Sequence, residues 1–501
     1  MHAVAVQGDE PAHGEAGAVG ARYNRAVAPH DGTGAPSLSR RQALKLTALG
    51  LASPLGAFAR AGKRVIVAGA GIGGLSCAWE LARRGHDVVV LDAAARTGGH
   101  VLTYRGDLPD GLYVDAGAEH FTRPGYERYW SYVHEFGLNA LYYPRRENVV
   151  RWIRGKPYTP EMLADRRVLA DLGLNAREAA FAADRGFPEL AALYFQPYVD
   201  AFEDEYRPFA AGLDHLDALT VTDLLRQQGA SPFGIELHGG DASALQAVWH
   251  AAILKMRGVP LWPPQVFRIE GGNQRLTDAF TTRLGDRVRL EHAVTGLEIG
   301  KDGVRVDCTS AGGPQRLEGD FVVCAMSAVM LSRIPVRPVW GEAKAFALRN
   351  VPYYFDTRVI LQSRSRFWVK DEVSPNMEFG DPALNHVWST GSDVQTLRGL
   401  LVGTATGGGT PDAALAAFRR YYPGGSEDVE RARAVAWPLD PWAAACERTS
   451  YGPGQLKRFW PTLIEPSGRA HFVGAYADNL NWGMEAATRS AFRAAEAIDR
   501  A

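Results

Sequence analysis

The chain is short of three things. Its four cysteines in 501 residues, Cys77, Cys308, Cys324 and Cys446, are too few and too scattered for a disulfide framework or a CxxC zinc site, and no metal is expected. Net charge is almost nil: 55 basic residues face 56 acidic ones, leaving -1, so there is no basic field to hold a nucleic-acid backbone. Long apolar runs are missing too. The stretch from Leu46 to Phe58 falls short of the ~20 residues that cross a bilayer, so no transmembrane span is expected. With 46% hydrophobic and 22% charged residues, the bulk of the chain is neither disordered nor fibrous. What the sequence does hold is glycine, 54 residues, and tryptophan, 12 residues. The glycines suggest close backbone approaches, and the tryptophans suggest large apolar contacts.

Residues 1–61 read as a leader. The first 38 are rich in Gly, Ala, His and Pro without apolar periodicity. Then come Arg40-Arg41, the short apolar stretch, and Ala57-Phe58-Ala59 with the small-x-small pattern of a cleavage site. The arginine pair resembles a twin-arginine signal, which carries folded proteins to the periplasm or outside. The alternative is an amphipathic helix that stays on a cytoplasmic protein. Ala43, where such signals usually have phenylalanine, points that way.

From Arg64 the order is strand, helix, strand: Arg64–Ala68 is β-branched, Leu75–Arg84 has helical spacing, and Val88–Leu91 is apolar throughout. Strands without polar alternation predict a parallel sheet covered on both faces. Residues from about 145 to 257 read as largely helical, until Pro260, Pro263 and Pro264 stop the pattern. Short alternating strands follow from about 286, with Lys301-Asp302-Gly303 as a hairpin turn. A mixed segment covers 336–464, and a helix closes the chain from Met484 to Ile498.

Gly69-Ala70-Gly71-Ile72-Gly73-Gly74 matches G-x-G-x-x-G between that first strand and helix. Gly69 permits the tight turn, Gly71 lets backbone approach a pyrophosphate, and Gly73 and Gly74 permit close helix–strand packing. The helix N-terminus offers N–H groups and partial positive charge to phosphates. Asp92, at the end of the second strand, is placed to accept from ribose hydroxyls.

The next residues, Ala93-Ala94-Ala95-Arg96-Thr97-Gly98-Gly99-His100, resemble the second glycine motif of the flavin-containing amine oxidase superfamily, which has a glutathione-reductase-type fold. The resemblance runs on through Asp115-Ala116-Gly117-Ala118-Glu119-His120 and Glu270-Gly271-Gly272, then Val294, then Gly474 and Met484-Glu485-Ala486-Ala487. It implies an α/β fold: a Rossmann-like FAD-binding domain of residues 62–145, 265–335 and 465–501, interleaved with an α+β substrate-binding domain of residues 146–264 and 336–464. The implied cofactor is FAD. Its expected contacts are Gly69, Gly71, Gly73, Gly74, Asp92, Arg96, Gly98, Gly99, His100, Gly117, Ala118, Glu119, Val294 (at adenine), Gly474, Met484 and Ala487. The implied activity is hydride transfer to FAD from a carbon beside nitrogen in an amine or amino acid, with oxygen or another acceptor reoxidising the flavin.

The sequence departs from the family pattern in several places. Where members place a lysine that holds water near the flavin, counting back from Phe367-Trp368 gives Arg358. Arginine cannot lose a proton, but it can bind a carboxylate bidentately. Gly483 stands where an aromatic usually frames the substrate, with Trp482 one residue earlier. Arg358 and Trp482 are thus the candidate catalytic residues. Trp262, Phe267, Tyr354 and Trp368 are candidate pocket aromatics, and Tyr476, Asp478 and Asn479 are candidate polar groups. His100 replaces an arginine and weakens the phosphate clamp. Cys446 has the spacing of a cysteine that is bonded to flavin in some relatives. The competing functions are a flavin-dependent desaturase or dehydrogenase acting on C–C bonds, and a non-catalytic flavin-binding protein.

Overall fold

The computed structural model describes residues 62–353, 356–406, 409–422, 424–444 and 450–501. The leader with Arg40-Arg41, and also Tyr354 and Cys446, lie outside the described residues. Residues 62–501 form one compact unit.

Its centre is a five-stranded, wholly parallel sheet in the order Val288–Arg289, Asp87–Leu91, Arg64–Ala68, Phe321–Cys324, Ala470–Phe472. Successive side chains of a strand point to opposite faces. Val65, Val67, Val88, Val90 and Val323 therefore pack under the helices Ile72–Ala82, Gln274–Leu284 and Gly483–Arg500, while Ile66, Val89, Leu91, Val322 and Cys324 join a second core. That second core includes Leu297, Val304 and Val306 from a four-stranded sheet. Both faces are covered, as the apolar strands predict. The lysine–aspartate–glycine turn joins Ala293–Ile299 to Val304–Ser310 as an antiparallel pair. A further strand, Gly313–Gly319, was not legible, because its sequence GPQRLEG is mostly polar and its side chains largely face water.

Residues 145–257 are not helical from their start. Val150–Ile153 and Lys156–Tyr158 form a hairpin, with Arg154 (φ 50°) and Gly155 (φ 80°) making its two-residue turn. Positive φ at both central positions is the type I′ requirement. The hairpin edges a seven-stranded sheet in the order Val429–Ala436, Asp356–Ser363, Gly399–Thr406, Leu384–Thr390, Met377–Asp381, Val150–Ile153, Lys156–Tyr158. Helices follow from Arg166 to Met256, where the proline-rich segment stops them. The closing helix runs from Gly483 to Arg500.

The site lies between the two large sheets. One face of the seven-stranded sheet carries Arg358, Thr404 and His386 in a cross-strand row, since Arg358 and His386 both pair with Thr404. Ile360, Trp388 and Val402 pack beside that row against Val114 and Ala116, in the strand and loop that run to Gly117.

Candidate active site

The C-terminal ends of the parallel strands open into a cavity of about 260 Å³, lined by Gly69, Gly71, Gly73, Asp92, Gly98, Gly99, His100, Gly117, Ala118, Arg358, Gly474, Met484 and Ala487 among others. A neighbouring cavity, lined by Val294, His292 and Thr295, shares Gly69, Asp92, Met326 and Trp442 with the first. The pair make one elongated groove over the first βα turn, the usual ligand position in open parallel sheets.

Gly71 is the N-cap of the first helix, with extended backbone (φ -69°, ψ 174°), no side-chain cap and no acidic residue in the first turn. A Cβ built on Gly71 meets no atom within 4 Å, so the residue faces open groove. The neighbouring glycines are crowded instead. A Cβ at Gly74 would come 1.9 Å from the Gly69 carbonyl oxygen, and one at Gly117 would come 1.8 Å from that of His100. The loop is thus pulled tight behind and left bare in front, with free helix N–H groups aimed outward. An extended diphosphate fits that cradle.

Asp92 accepts from Ala70 N at 2.6 Å and from Ala94 N at 2.8 Å, and so braces the glycine loop while lining both cavities. Burial raises its pKa against those bonds. Arg96 stands behind the groove, donating to Gly99 O at 2.9 Å, and holds the Gly98-Gly99 turn. Gly74 likewise packs without lining. His100 is no cationic clamp: burial lowers it to about 4, its ring lies 4.3 Å from Trp437, and Nε2 has no partner. It enters as a neutral imidazole.

Arg358 does reach the groove, and its Nη2 donates to Gly117 O at 2.9 Å. Trp482 does not line it. The one-residue shift lays the indole on Tyr126, with centroids 5.6 Å apart and planes 19° apart, and leaves Gly483 at the wall. Trp368 is core, packed with Phe367, and Phe267 stacks among Phe121, Trp130 and Tyr142. Trp262 lies under the Arg146 guanidinium at 4.2 Å. Asp478 and Asn479 are structural: Asp478 takes Arg489 and Arg493 at 3.0 and 2.8 Å, and Asn479 takes Arg489 at 2.8 Å. Tyr476 lines the groove with its ring, together with Tyr353, Trp437 and Trp442, three aromatics that sequence reasoning missed.

Glu119 turns away from the groove into a buried charged cluster. Its Oε1 pairs with Arg145 and lies 2.6 Å from His120 Nδ1, while Oε2 is buried without a partner. Burial alone would raise this carboxyl, but Arg145, His120 and Arg358 hold it well below the ordinary range. Arg145 lies over Trp388 at 3.8 Å, and Arg358 lies over the same ring at 5.5 Å. Arg146 donates to Pro263 O at 2.6 Å, and its buried Nε has no partner. Burial, then Arg145, lower Arg146 to about 10, so it stays charged at neutral pH. Nothing in the sequence marked His120, Arg145 and Arg146 as a group. Only the packing of residues 115–120 against 143–147 and strand Leu384–Thr390 assembles them.

Fold and groove together define a dinucleotide-binding α/β protein whose second sheet walls one end of the groove with Arg358. The family model described as flavin containing amine oxidoreductase matches residues 72–499, and the chain belongs to that family. It is an FAD-dependent oxidoreductase of the amine oxidase type. Relatives include an L-amino-acid oxidase of Demansia vestigiata, 24% identical over 465 residues, covering 88% of this chain and 87% of that protein. The flavin-dependent L-tryptophan oxidase RebO of Lentzea aerocolonigenes is 25% identical over 490 residues, covering 88% of this chain and 99% of its own. Among solved structures, cyclohexylamine oxidase from Brevibacterium oxydans IH-35A superposes with a TM-score of 0.71 at 21% identity, covering 88% of this chain and 99% of that one. Putrescine oxidase bound to putrescine gives 0.70 at 21% identity with the same coverage. At those identities the superpositions show the fold alone.

Proposed function

We propose that the protein oxidises an α-amino acid at the carbon bearing nitrogen, with oxygen as the final electron acceptor. One observation carries the choice of amino acid over simple amine. Three arginines, Arg145, Arg146 and Arg358, meet around Trp388 and His120, yet Glu119 is the carboxylate bonded there, and it is bonded to Arg145. Arg146 and Arg358 hydrogen-bond to backbone oxygens, and among the described residues neither has a carboxylate at ion-pair distance, although Glu119 and Asp356 lie near enough to act on Arg358. Partly buried cations are normally paired as well. A substrate carboxylate supplies the missing charge and fits a guanidinium bidentately. The L-amino-acid and L-tryptophan oxidases among the relatives support the same reading.

The contacts assigned to FAD follow the groove. Gly69, Gly71, Gly73 and the helix N-terminus take the pyrophosphate, Asp92 the ribose, and Val294 the adenine end. Gly117, Ala118, Gly474, Met484 and Ala487 take the flavin end. Bound FAD supplies the hydride acceptor. The chain orients the substrate, keeps water out and balances its charge. The same sorting of sheets supports the two interleaved domains, and the Arg40-Arg41 segment supports export to the periplasm or beyond.

Anaerobic bleaching of the flavin is the test, with α-amino acids set against their decarboxylated amines. Amino acids are expected to bleach it at least tenfold faster at equal concentration. Equal bleaching by the amines would remove the carboxylate reading. Bleaching by non-amine substrates alone would favour C–C desaturation, and no bleaching by any compound would leave a non-catalytic flavin-binding protein.

A further inference from the structure

The wall of the main cavity carries few charges. Among the described residues its carboxylates are Asp92 and Asp356, and its guanidinium is Arg358; His100, lowered to about 4 by burial, is uncharged. Asp92 is committed, since it accepts from Ala70 N and Ala94 N and braces the glycine loop. Asp356 is not. Its carboxylate has no hydrogen bond and no ion pair to any described residue, and Arg358 is the charged group that acts on it. We infer that Asp356 takes the substrate's ammonium group while Arg358 takes its carboxylate, so that the two form a site for the zwitterion of an α-amino acid. This rests on the amino acid reading above and names the residue that recognises the nitrogen.

Both residues belong to the strand Asp356–Ser363, which pairs antiparallel with Gly399–Thr406. Positions two apart point to the same face of a strand and lie roughly 6.8 Å apart along it. Asp356 and Arg358 stand opposite Thr406 and Thr404, while the alternate residues Thr357 and Val359 are fully buried on the other face. Strand alternation therefore sets the two charges side by side in the cavity wall. They do not pair with each other, because Nη2 of Arg358 donates to Gly117 O at 2.9 Å. Glu119, which Arg358 also influences, is bonded to Arg145 and lines no part of the cavity.

Burial raises the Asp356 carboxyl above its ordinary value, and Arg358 offsets only part of that. A desolvated carboxylate gains most from a cation at hydrogen-bond distance, and an ammonium brings three donors. The guanidinium offers a carboxylate two parallel N–H bonds. A zwitterion satisfies both groups at once. A simple amine leaves the guanidinium unmatched, and a simple carboxylic acid meets the Asp356 charge with nothing to offset it.

The test uses the holoenzyme at pH 7 and three ligands that give no turnover readout of their own: 2-aminoisobutyrate, which has no Cα hydrogen, isobutyrate, which has no amino group, and isopropylamine, which has no carboxylate. Each Kd is followed through the flavin spectrum. The native protein is expected to bind 2-aminoisobutyrate at least about tenfold more tightly than either of the others. In Asp356→Asn the Kd of 2-aminoisobutyrate should rise at least about tenfold, while isobutyrate binds as well as before or better, its repulsion removed. Asp356→Glu should recover part of the loss. In Arg358→Gln both carboxylates should weaken and isopropylamine should not. A native protein that binds isobutyrate as tightly as 2-aminoisobutyrate would overturn the proposal even if no variant folds. So would an Asp356→Asn protein that retains FAD and either binds 2-aminoisobutyrate like the native one or weakens for both carboxylates alike, the mark of a structural role. If amino acids bleach the native flavin no faster than their amines, the amino acid reading itself is what fails.

Discussion

Replacing Gly71 and Gly74 by alanine, one at a time, separates what the glycine loop does for the fold from what it does for the cofactor. At Gly71 the backbone is extended and the added methyl meets nothing within 4 Å. Less chain entropy in the unfolded state contributes about 0.4–1 kcal/mol of stability, and alanine is a poorer N-cap than glycine by an amount of similar size. The apoprotein should therefore unfold within about 1 kcal/mol of the native one. The methyl does point into the cradle, where it holds a phosphate away from the helix N–H groups. Losing one or two hydrogen bonds to an anion, at about 1.5–3 kcal/mol each, raises the Kd for FAD roughly 10- to 10³-fold. At Gly74 the methyl comes 1.9 Å from the Gly69 carbonyl oxygen, with Ala325 at 3.1 Å, so backbone itself must move. Overpacking of that kind costs about 1–3 kcal/mol or more, and the apoprotein should lose stability before any cofactor is added. Thermal unfolding of both apoproteins and fluorescence titration with FAD give the two numbers. A stable Gly71→Ala protein that binds FAD as tightly as the native one would refute the placement of the pyrophosphate over Gly71.

Asp115 is buried, and both its hydrogen bonds, from Thr103 Oγ1 and Asn273 N, end on Oδ1. Burial raises it to about 6 from 3.8, so the folded state binds the extra proton and stability falls as pH rises from about 4 to 6. Asp115→Asn keeps both acceptor bonds; it should flatten that slope and stabilise the apoprotein above pH 6 by no more than about 3 kcal/mol, at ~1.4 kcal/mol per unit. An unchanged urea-unfolding slope across pH 4–6 would count against the burial argument. Arg146→Gln is expected to raise KM for amino acids at least tenfold while leaving FAD content intact. A change in kcat alone would place Arg146 elsewhere in the reaction. Arg40→Lys with Arg41→Lys should hold the protein in the cytoplasm of an expressing cell, measured by fractionation; undiminished export would assign these arginines another role.

The lining of the groove was readable in advance because its glycines fall on fixed offsets that begin in one strand–turn–helix unit. Gly69 to Asp92, Gly98-Gly99 and Gly117 reach the groove in the order that backbone approach requires, and Val294 marks its second cavity. The substrate end was much less legible. Arg358 could be found by counting along one strand, but Arg145-Arg146 is an ordinary basic pair until the fold lays it against Glu119 and Trp388. The aromatics fared worst, because a ring's neighbours are set by tertiary packing and not by spacing. Trp482 leans on Tyr126, Trp368 fills a core, and Trp437 reaches the groove from the far sheet by donating to Ala116 O at 3.0 Å. The Val150–Tyr158 hairpin was read as helical because its strands are too short to show alternation.

The order of strands in the parallel sheet governs when the groove is completed. One edge of that sheet is Ala470–Phe472, which pairs with Phe321–Cys324, and the helix Gly483–Arg500 supplies Met484 and Ala487 to the groove. Until residues 470–500 are in place, the strand Phe321–Cys324 has an open edge, and the face bearing Val65 and Val67 lacks one of the three helices that cover it. An uncovered parallel edge with apolar flanks is prone to pair with the wrong partner. The groove is thus complete only once residues 470–500 have docked, and until then an apolar sheet edge stays open to wrong pairing.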